Sequence, residues 1–233
     1  MKRVILCDFD GTITDADVTD TLCRRFIPQH REELRRQSRR WEAGEISAVE
    51  WEEIAYGLMD LRQEQVDAVL EEIGVCSGLQ ALLEVARCRG WDFHVLSSGF
   101  DYYIRKILAR VGCEASFTAN SLWFGPEGEV RLRFLNNDEP GCDLYKPPCI
   151  GCKPVVWEDW KARGYQIAFV GDGVSDYCLA ARWERLAEPG DLLFAKASLL
   201  RYCREHGIPA FPYESLADVA AYLLAQDGDE TQG

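Results

Sequence analysis

The apolar positions along this chain fall into two rhythms. Val4-Ile5-Leu6, Phe93-His94-Val95-Leu96, Phe117-Thr118-Ala119, Gln166-Ile167-Ala168-Phe169-Val170, Leu192-Leu193-Phe194-Ala195 and Ala210-Phe211 are short, mainly apolar runs. Runs of that length predict buried strands. Between them the apolar spacing changes to three and four. Leu79–Arg89 predicts a helix ended by Gly90, and Phe100, Tyr103, Ile104, Ile107, Leu108 and Val111 mark the buried face of the next. Residues 155–163, closed by Gly164, and residues 199–206 and 216–224 continue the series. Alternation of this kind predicts an α/β fold with a parallel sheet. Residues 121–124 and 129–135, joined through Gly125-Pro126-Glu127-Gly128, predict a β-hairpin extension.

One stretch breaks the alternation. Residues 15–78 read as helical throughout, with an apolar stripe at Ile46, Val49, Ile54, Ala55, Leu58 and Met59, a capping-box pattern at Ser47 and Glu50, and a further helix over 63–73. About sixty residues of helix before any second strand exceed a simple crossover. The expected organisation is a core of residues 1–14 and 79–225, an inserted helical cap over 15–78, and a frayed tail at 226–233. Extra helices packed on the sheet flank are the alternative.

Composition removes several classes of function. A net charge of −13 argues against nucleic-acid binding, which needs clustered positive charge. The stretch 24–40 gathers seven arginines against Glu32 and Glu33. It reads as a solvated helix face, or as a means of steering anions. No apolar run reaches eighteen residues, so no membrane span is expected, and the N-terminus lacks a signal-peptide layout. Ten cysteines scattered through a mid-sized chain without an export signal read as mostly reduced thiols in a cytoplasmic protein. His94 alternates within its strand and reads as a packed core residue.

The chemistry collects at strand ends. The first strand delivers Asp8 and Asp10 to its C-terminal end, where ligands sit in open α/β sheets, and Gly11 and Thr12 turn the chain away. Paired carboxylates raise one another's pKa unless a cation sits between them, and Mg²⁺ suits carboxylates together with phosphate oxygens. Alternatively the acidic pair only forms a turn or caps a helix. Ser97, Ser98 and Gly99 follow the second strand, where hydroxyls cap a helix or hold an anion. Lys153 precedes Pro154 at a helix start, a position that the helix dipole disfavours for a cation unless an anion is shared. Gly171-Asp172-Gly173-Val174-Ser175-Asp176 sets two carboxylates four residues apart, able to face one point above the sheet.

Paired Asp, Ser, Lys and paired Asp, in that order at successive strand ends, resemble the four motifs of the haloacid dehalogenase superfamily, whose core is Rossmann-like. A helical cap between the first two motifs is similar to the phosphoserine-phosphatase-like branch. Asp8–Asp17, Leu96–Asp101, Gly151–Pro154, Leu193–Ala195 and the stretch from Cys203 through Tyr213 most resemble the methionine-salvage phosphatases that act on 2-hydroxy-3-keto-5-methylthiopentenyl-1-phosphate. Ser98 departs from their usual glycine, and the cysteines before Lys153 are sparser.

The resemblance implies a Mg²⁺-dependent phosphomonoesterase working through an aspartyl-phosphate. Asp8 is then the nucleophile and Asp10 the acid and base; Asp8, the Asp10 carbonyl and Asp172 hold the metal, with Asp176 behind it. Ser97 and Lys153 orient the phosphoryl group, with Gly11, Thr12, Ser98 and Gly99 close by. Asp17 stands where phosphoserine phosphatases carry a glutamate, and its shorter side chain argues against phosphoserine. The expected partner is a small phosphorylated metabolite. Phosphoserine, phosphoethanolamine and phosphocholine are alternative substrates; a phosphomutase and a non-catalytic phospho-ligand binder are alternative functions. Oligomeric state is not legible.

Cys142, Cys149 and Cys152 crowd the loop before Lys153, the last two in a C-x-x-C arrangement. The expectation is that at least two are joined, by a structural Zn²⁺ or as a disulfide, against an alternative of three ordinary thiols.

Overall fold

The computed structural model describes residues 2–135 and 144–226. In chain order the elements are β1 (Lys2–Cys7), α1 (Val18–Phe26), α2 (Arg31–Glu42), α3 (Ala48–Leu58), α4 (Gln63–Glu72), α5 (Leu79–Arg89), β2 (Asp92–Phe100) and α6 (Asp101–Arg110). They continue with β3 (Ser116–Phe124), β4 (Val130–Arg133), α7 (Lys153–Ala162), β5 (Tyr165–Gly171), α8 (Tyr177–Ala180) and α9 (Trp183–Leu186). β6 (Leu192–Ala195), α10 (Ala197–Glu205), β7 (Phe211–Pro212) and α11 (Leu216–Ala225) complete the chain.

Among these residues the strands form one seven-stranded sheet in the order β4-β3-β2-β1-β5-β6-β7, parallel except for the β3–β4 pair. The α/β reading of the sequence therefore holds. From β1 the chain first builds outward through β2 and β3, then crosses back to build β5, β6 and β7 on the other side. The crevice between β1 and β5 is the switch point at which open α/β sheets bind ligands.

Alternation along the central strands explains why both sheet faces are covered. Val4 and Leu6 join a core with Trp157, Trp160, Leu179 and Leu199 from α7, α8 and α10. Ile5 and Cys7 join the opposite core with Leu82, Ile104 and Val219 from α5, α6 and α11. All four strand residues are fully buried. The second core continues without a break into Val18, Leu22, Ala55, Val66 and Val69 of α1, α3 and α4. Ser47 and Glu50 form a reciprocal capping box on α3, which agrees with the sequence pattern. The two chain segments entering and leaving the α1–α4 stretch run side by side. There Asp15 N donates to Gly74 O at 3.1 Å and Cys76 N to Ile13 O at 2.8 Å.

Two strands run longer than their apolar pattern. β2 continues through Ser97, Ser98 and Gly99 to Phe100, with a register shift between Leu96 and Phe100. The two serines therefore lie in an irregular strand end, not at a helix start. β3 is a single strand from Ser116 to Phe124, not two pieces. Buried Asn120 accounts for both: its Nδ2 donates to Ser98 O at 2.6 Å, and its Oδ1 accepts from Leu135 N at 2.9 Å. One amide thus satisfies Ser98 O, within the shifted stretch of β2, and Leu135 N beyond the end of β4.

His94 lies on β2 and its side chain reaches β3, with Nδ1 2.8 Å from Ser116 Oγ and Nε2 2.8 Å from Thr118 Oγ1. Burial, helped by the Arg163 charge, lowers its pKa to about 4. An unfolded histidine titrates near 6.5, so the unfolded chain binds more protons between those values. Stability contributed here is complete above about pH 6.5 and is lost as pH falls toward 4, by on the order of 2 kcal/mol. His94→Gln keeps a donor and an acceptor for the two hydroxyls. Urea unfolding should show a smaller loss of stability from pH 7 to pH 5 in the variant than in the native chain; equal losses would contradict the assignment.

Candidate active site

The crevice at the ends of β1 and β5 opens into a cavity of about 470 Å³. Its floor includes Asp8, Asp10, Gly11, Ser97, Ser98, Gly99 and Asp172; its far wall includes Asp17, Thr19, Trp41, Trp51 and Glu52 from α1–α3 and their approaches.

Asp8 leaves β1 with its N–H still donating to Val170 O at 2.8 Å, so the strand ladder fixes its backbone. Its side chain is almost fully buried. Lys153, the first residue of α7 and wholly inaccessible, donates through Nζ to Asp8 Oδ1 at 2.7 Å and to Asp176 Oδ1. Ser175 Oγ lies 3.3 Å from the same ammonium. Burial opposes the lysine charge, but Asp176 and Asp8 raise its pKa above the ordinary range. The dipole at the start of α7 also opposes that charge. The shared anion anticipated for Lys153 thus includes two side chains of the protein itself.

Asp176 Oδ2 accepts from Asp172 N at 3.0 Å and Gly173 N at 3.1 Å, closing the turn after β5. Asp172 is held instead by Thr12, whose Oγ1 donates to its Oδ1 at 2.9 Å. Tyr213 OH lies 3.4 Å from the Thr12 hydroxyl and donates to Gly171 O at 3.1 Å. Burial first, and the Asp176 charge second, push the Asp172 carboxyl up to about 6. Burial also raises Asp8 well above its usual value against the pull of Lys153, with Asp176 and Asp172 adding to the rise.

The turn between these carboxylates requires glycine. Gly11 has φ +75°, and a Cβ there would stand 2.5 Å from Asp172 Oδ2. Asp10 points away from the trio, its Oδ1 accepting from Val18 N at 2.8 Å and its Oδ2 from Tyr103 OH at 3.2 Å. Burial and the Asp17 charge push the Asp10 carboxyl up to about 8. Gly99 makes room for this arrangement, since a Cβ there would lie 1.8 Å from the Tyr103 hydroxyl. Ser97 is buried and its Oγ accepts from Gly99 N at 2.9 Å.

Asp17 lines the cavity and also caps α1, accepting from Asp20 N at 2.7 Å. Four arginines of the 24–40 stretch, Arg24, Arg25, Arg36 and Arg40, pair with Asp20, Glu72, Glu33 and Glu45, and none of the seven lines the cavity. Their solvated-face reading is the one that fits. Cys142 lies outside the described residues, Cys149 is half-buried, and Cys152 is buried at the N-cap of α7. Among the described residues, the grouping of side chains able to share a metal ion is Asp8, Asp172 and Asp176, with one oxygen of each within 4.8 Å of the others; it contains no cysteine.

Pattern reading missed Tyr103 as a polar group, Tyr213, Asn120 and Glu52. Glu52 had a usable signal, because it falls on the apolar face of α3 beside Val49, Ala55 and Tyr56. A charge on that face calls for an explanation.

The profile of the haloacid dehalogenase-like hydrolases matches residues 5–181, well over half of the chain. The chain belongs to that family. Among curated relatives of this haloacid dehalogenase-like hydrolase is a 2-hydroxy-3-keto-5-methylthiopentenyl-1-phosphate phosphatase of Exiguobacterium sibiricum, 26% identical over 94% of this chain and 95% of its own. A phosphatase of the same name from another Exiguobacterium is 27% identical over 96% and 98%. A phosphoserine phosphatase from T. onnurineus shares the fold, with a TM-score of 0.64 at 20% identity over 97% of this chain and 96% of its own. The family and branch resemblance read from the four motifs agrees with these matches. No helix among the described residues is long and apolar enough to cross a membrane.

Proposed function

We propose that this hydrolase is a Mg²⁺-dependent phosphomonoesterase acting through a phosphorylated Asp8. The observation that carries the reading is the pairing of a buried, lysine-held Asp8 with an Asp10 carboxyl poised at about 8, both on one cavity floor. The donor set fits a hard dication. Three carboxylates, two of them buried, converge with one lysine among them, leaving uncompensated negative charge lined with oxygen. Both oxygens of Asp176 already have partners, so Asp8, Asp172 and the Asp10 carbonyl would hold the ion, with Asp176 behind them. When bound, Mg²⁺ neutralises and orients the phosphoryl oxygens.

The protein groups then divide the work. A carboxylate oxygen of Asp8 attacks phosphorus as the ester P–O bond breaks, and the departing alkoxide takes the proton held by Asp10. Its pKa near 8 keeps that proton in place at neutral pH, a role worth roughly 10²–10⁴-fold. Ionised Asp10 next takes a proton from water, whose oxygen displaces phosphate from Asp8. Val18 N and Tyr103 OH fix the Asp10 carboxyl for both transfers. Lys153 and Ser97 orient and neutralise the transferring group. Residues 15–78 serve as the cap that closes over it.

The named relatives make 2-hydroxy-3-keto-5-methylthiopentenyl-1-phosphate the first substrate to test. Phosphoserine is a poorer fit, because among the described residues no lysine, arginine or histidine lines the cavity to meet its carboxylate. Phosphate release by purified protein, with and without Mg²⁺, is the test. The keto-enol ester should exceed phosphoserine and phosphocholine at least tenfold in kcat/KM, about 1.4 kcal/mol of transition-state discrimination. A tenfold preference for either competitor overturns the substrate. Absence of metal-dependent phosphate release from every ester overturns the reaction.

A further inference from the structure

One buried hydroxyl beside the carboxylate floor takes no part in the phosphoryl chemistry. Tyr213 follows β7 and lies beyond the stretch 5–181 that the family profile matches. It is only 5% exposed, and its ring packs in the core shared with α5, α6 and α11. Its N–H donates to Ala195 O at 3.3 Å, and the Lys196 ammonium lies 5.3 Å from its ring centroid. A phenylalanine would fill the same space. The hydroxyl therefore needs its own account.

That hydroxyl reaches Asp172 by two routes. It donates at 3.1 Å to Gly171 O, the carbonyl of the peptide bond leading into Asp172. It also lies 3.4 Å from Thr12 Oγ1, which donates to Asp172 Oδ1 at 2.9 Å. Thr12 is wholly inaccessible, and its single proton is committed to that carboxylate. Gly171 O also accepts from Lys196 N at 3.3 Å, so the Tyr213 proton is not needed merely to satisfy the carbonyl. What the hydroxyl adds is position.

The chain after Asp172 is held from the same side. Asp172 O accepts from Leu199 N at 2.9 Å and from Ser198 Oγ at 3.2 Å. The turn supplying those donors passes through Ala197 at φ +45°, a conformation rare for a residue with a Cβ. Asp172 is thus braced before, behind and at its carboxylate, largely by residues 196–213.

A metal site gains affinity when outer partners hold its ligands in place. Resting on the Mg²⁺-dependent reading, we infer that Tyr213 is a positioning residue for Asp172, whose hydroxyl sets how tightly the carboxylate floor binds a divalent cation. Tyr213 is not among the residues that line the cavity. It acts through Thr12 and the Gly171 carbonyl.

The test reads metal binding without turnover. Mn²⁺, which takes the same oxygen ligands as Mg²⁺, is titrated into metal-free protein while electron paramagnetic resonance follows the free ion. Competition then gives the Mg²⁺ affinity. Loss of an outer partner typically weakens a metal about 10–100-fold, so Asp172→Asn and Thr12→Val should each cost at least about tenfold. Tyr213→Phe, one contact further out, should cost roughly fivefold. Thr12→Ser, which keeps the hydroxyl, should retain most of the affinity. The control is Tyr56→Phe, which removes a hydroxyl 3.3 Å from Thr19 Oγ1 on a tyrosine of the same core, also 5% exposed. Its Mn²⁺ affinity should match the native value. The melting temperature of Tyr213→Phe in chelator should stay close to native, because the ring remains and Gly171 O keeps Lys196 N.

Unchanged Mn²⁺ affinity in Tyr213→Phe overturns the inference, whatever its melting temperature. Equal weakening in Tyr56→Phe does so too, because it marks a general loosening of the core. Native binding that Asp172→Asn leaves unchanged overturns the metal assignment itself, and with it the Mg²⁺-dependent reading.

Discussion

Asp8→Asn is expected to lower kcat on any phosphate ester by on the order of 10⁴–10⁶-fold, the scale seen when a covalent nucleophile is removed. The fold should survive, and in chelator its melting temperature should stay level or rise. Asp8 is one of three converging carboxylates, and the buried Lys153 ammonium pairs with it and with Asp176. Its pKa is raised in the folded chain, so the native state binds more protons than the unfolded one above about pH 4. Ionised Asp8 therefore lowers stability increasingly as pH rises, and the neutral amide relieves that effect. Lys153 keeps its bond to Asp176 in the variant. Kinetics at saturating Mg²⁺ and melting curves in chelator check both halves. Activity within a few-fold of the native protein would remove Asp8 from the mechanism.

The carboxylate floor was legible because its signals are local. A short apolar run ending in Asp8, and another ending in Gly171-Asp172, specify strand ends without knowledge of any partner. The helices of residues 15–78 were legible for the same reason, from stripes and from the Ser47–Glu50 capping box. What pattern reading missed depends on contacts distant in sequence. The course of β2 through Ser97-Ser98-Gly99 rests on the amide of Asn120, twenty-two residues away. The orientation of Asp10 rests on Tyr103, whose aromatic ring follows the helical stripe while its hydroxyl leaves no periodic trace. Thr12 reads as a turn residue, yet its hydroxyl fixes Asp172 across the site, supported by Tyr213. Lys153 was identified by its place before a helix, but its burial between two carboxylates emerges only when α7 docks on the sheet.

That burial sets the second large effect. Lys153→Met replaces the ammonium with an apolar side chain of similar reach and leaves Asp8 and Asp176 buried without a counter-charge. Removing one partner of a buried ion pair costs roughly 3–5 kcal/mol, far more than an exposed pair contributes. Asp8 can escape part of that cost by taking up a proton, which gives the variant a distinctive pH signature. A carboxyl whose folded pKa rises makes the native state bind more protons than the unfolded chain above about pH 4, so stability falls as pH climbs. In the native protein the ammonium restrains that rise at Asp8. Urea unfolding in chelator should therefore show Lys153→Met losing more stability between pH 5 and pH 8 than the native chain does. Activity should fall by at least about 10³-fold, because a charged donor to the transferring oxygens is lost together with the partner that fixes Asp8. Equal pH slopes in the two proteins would mean that the lysine is not what sustains ionised Asp8. The carboxylate trio would then have to be balanced by the metal alone.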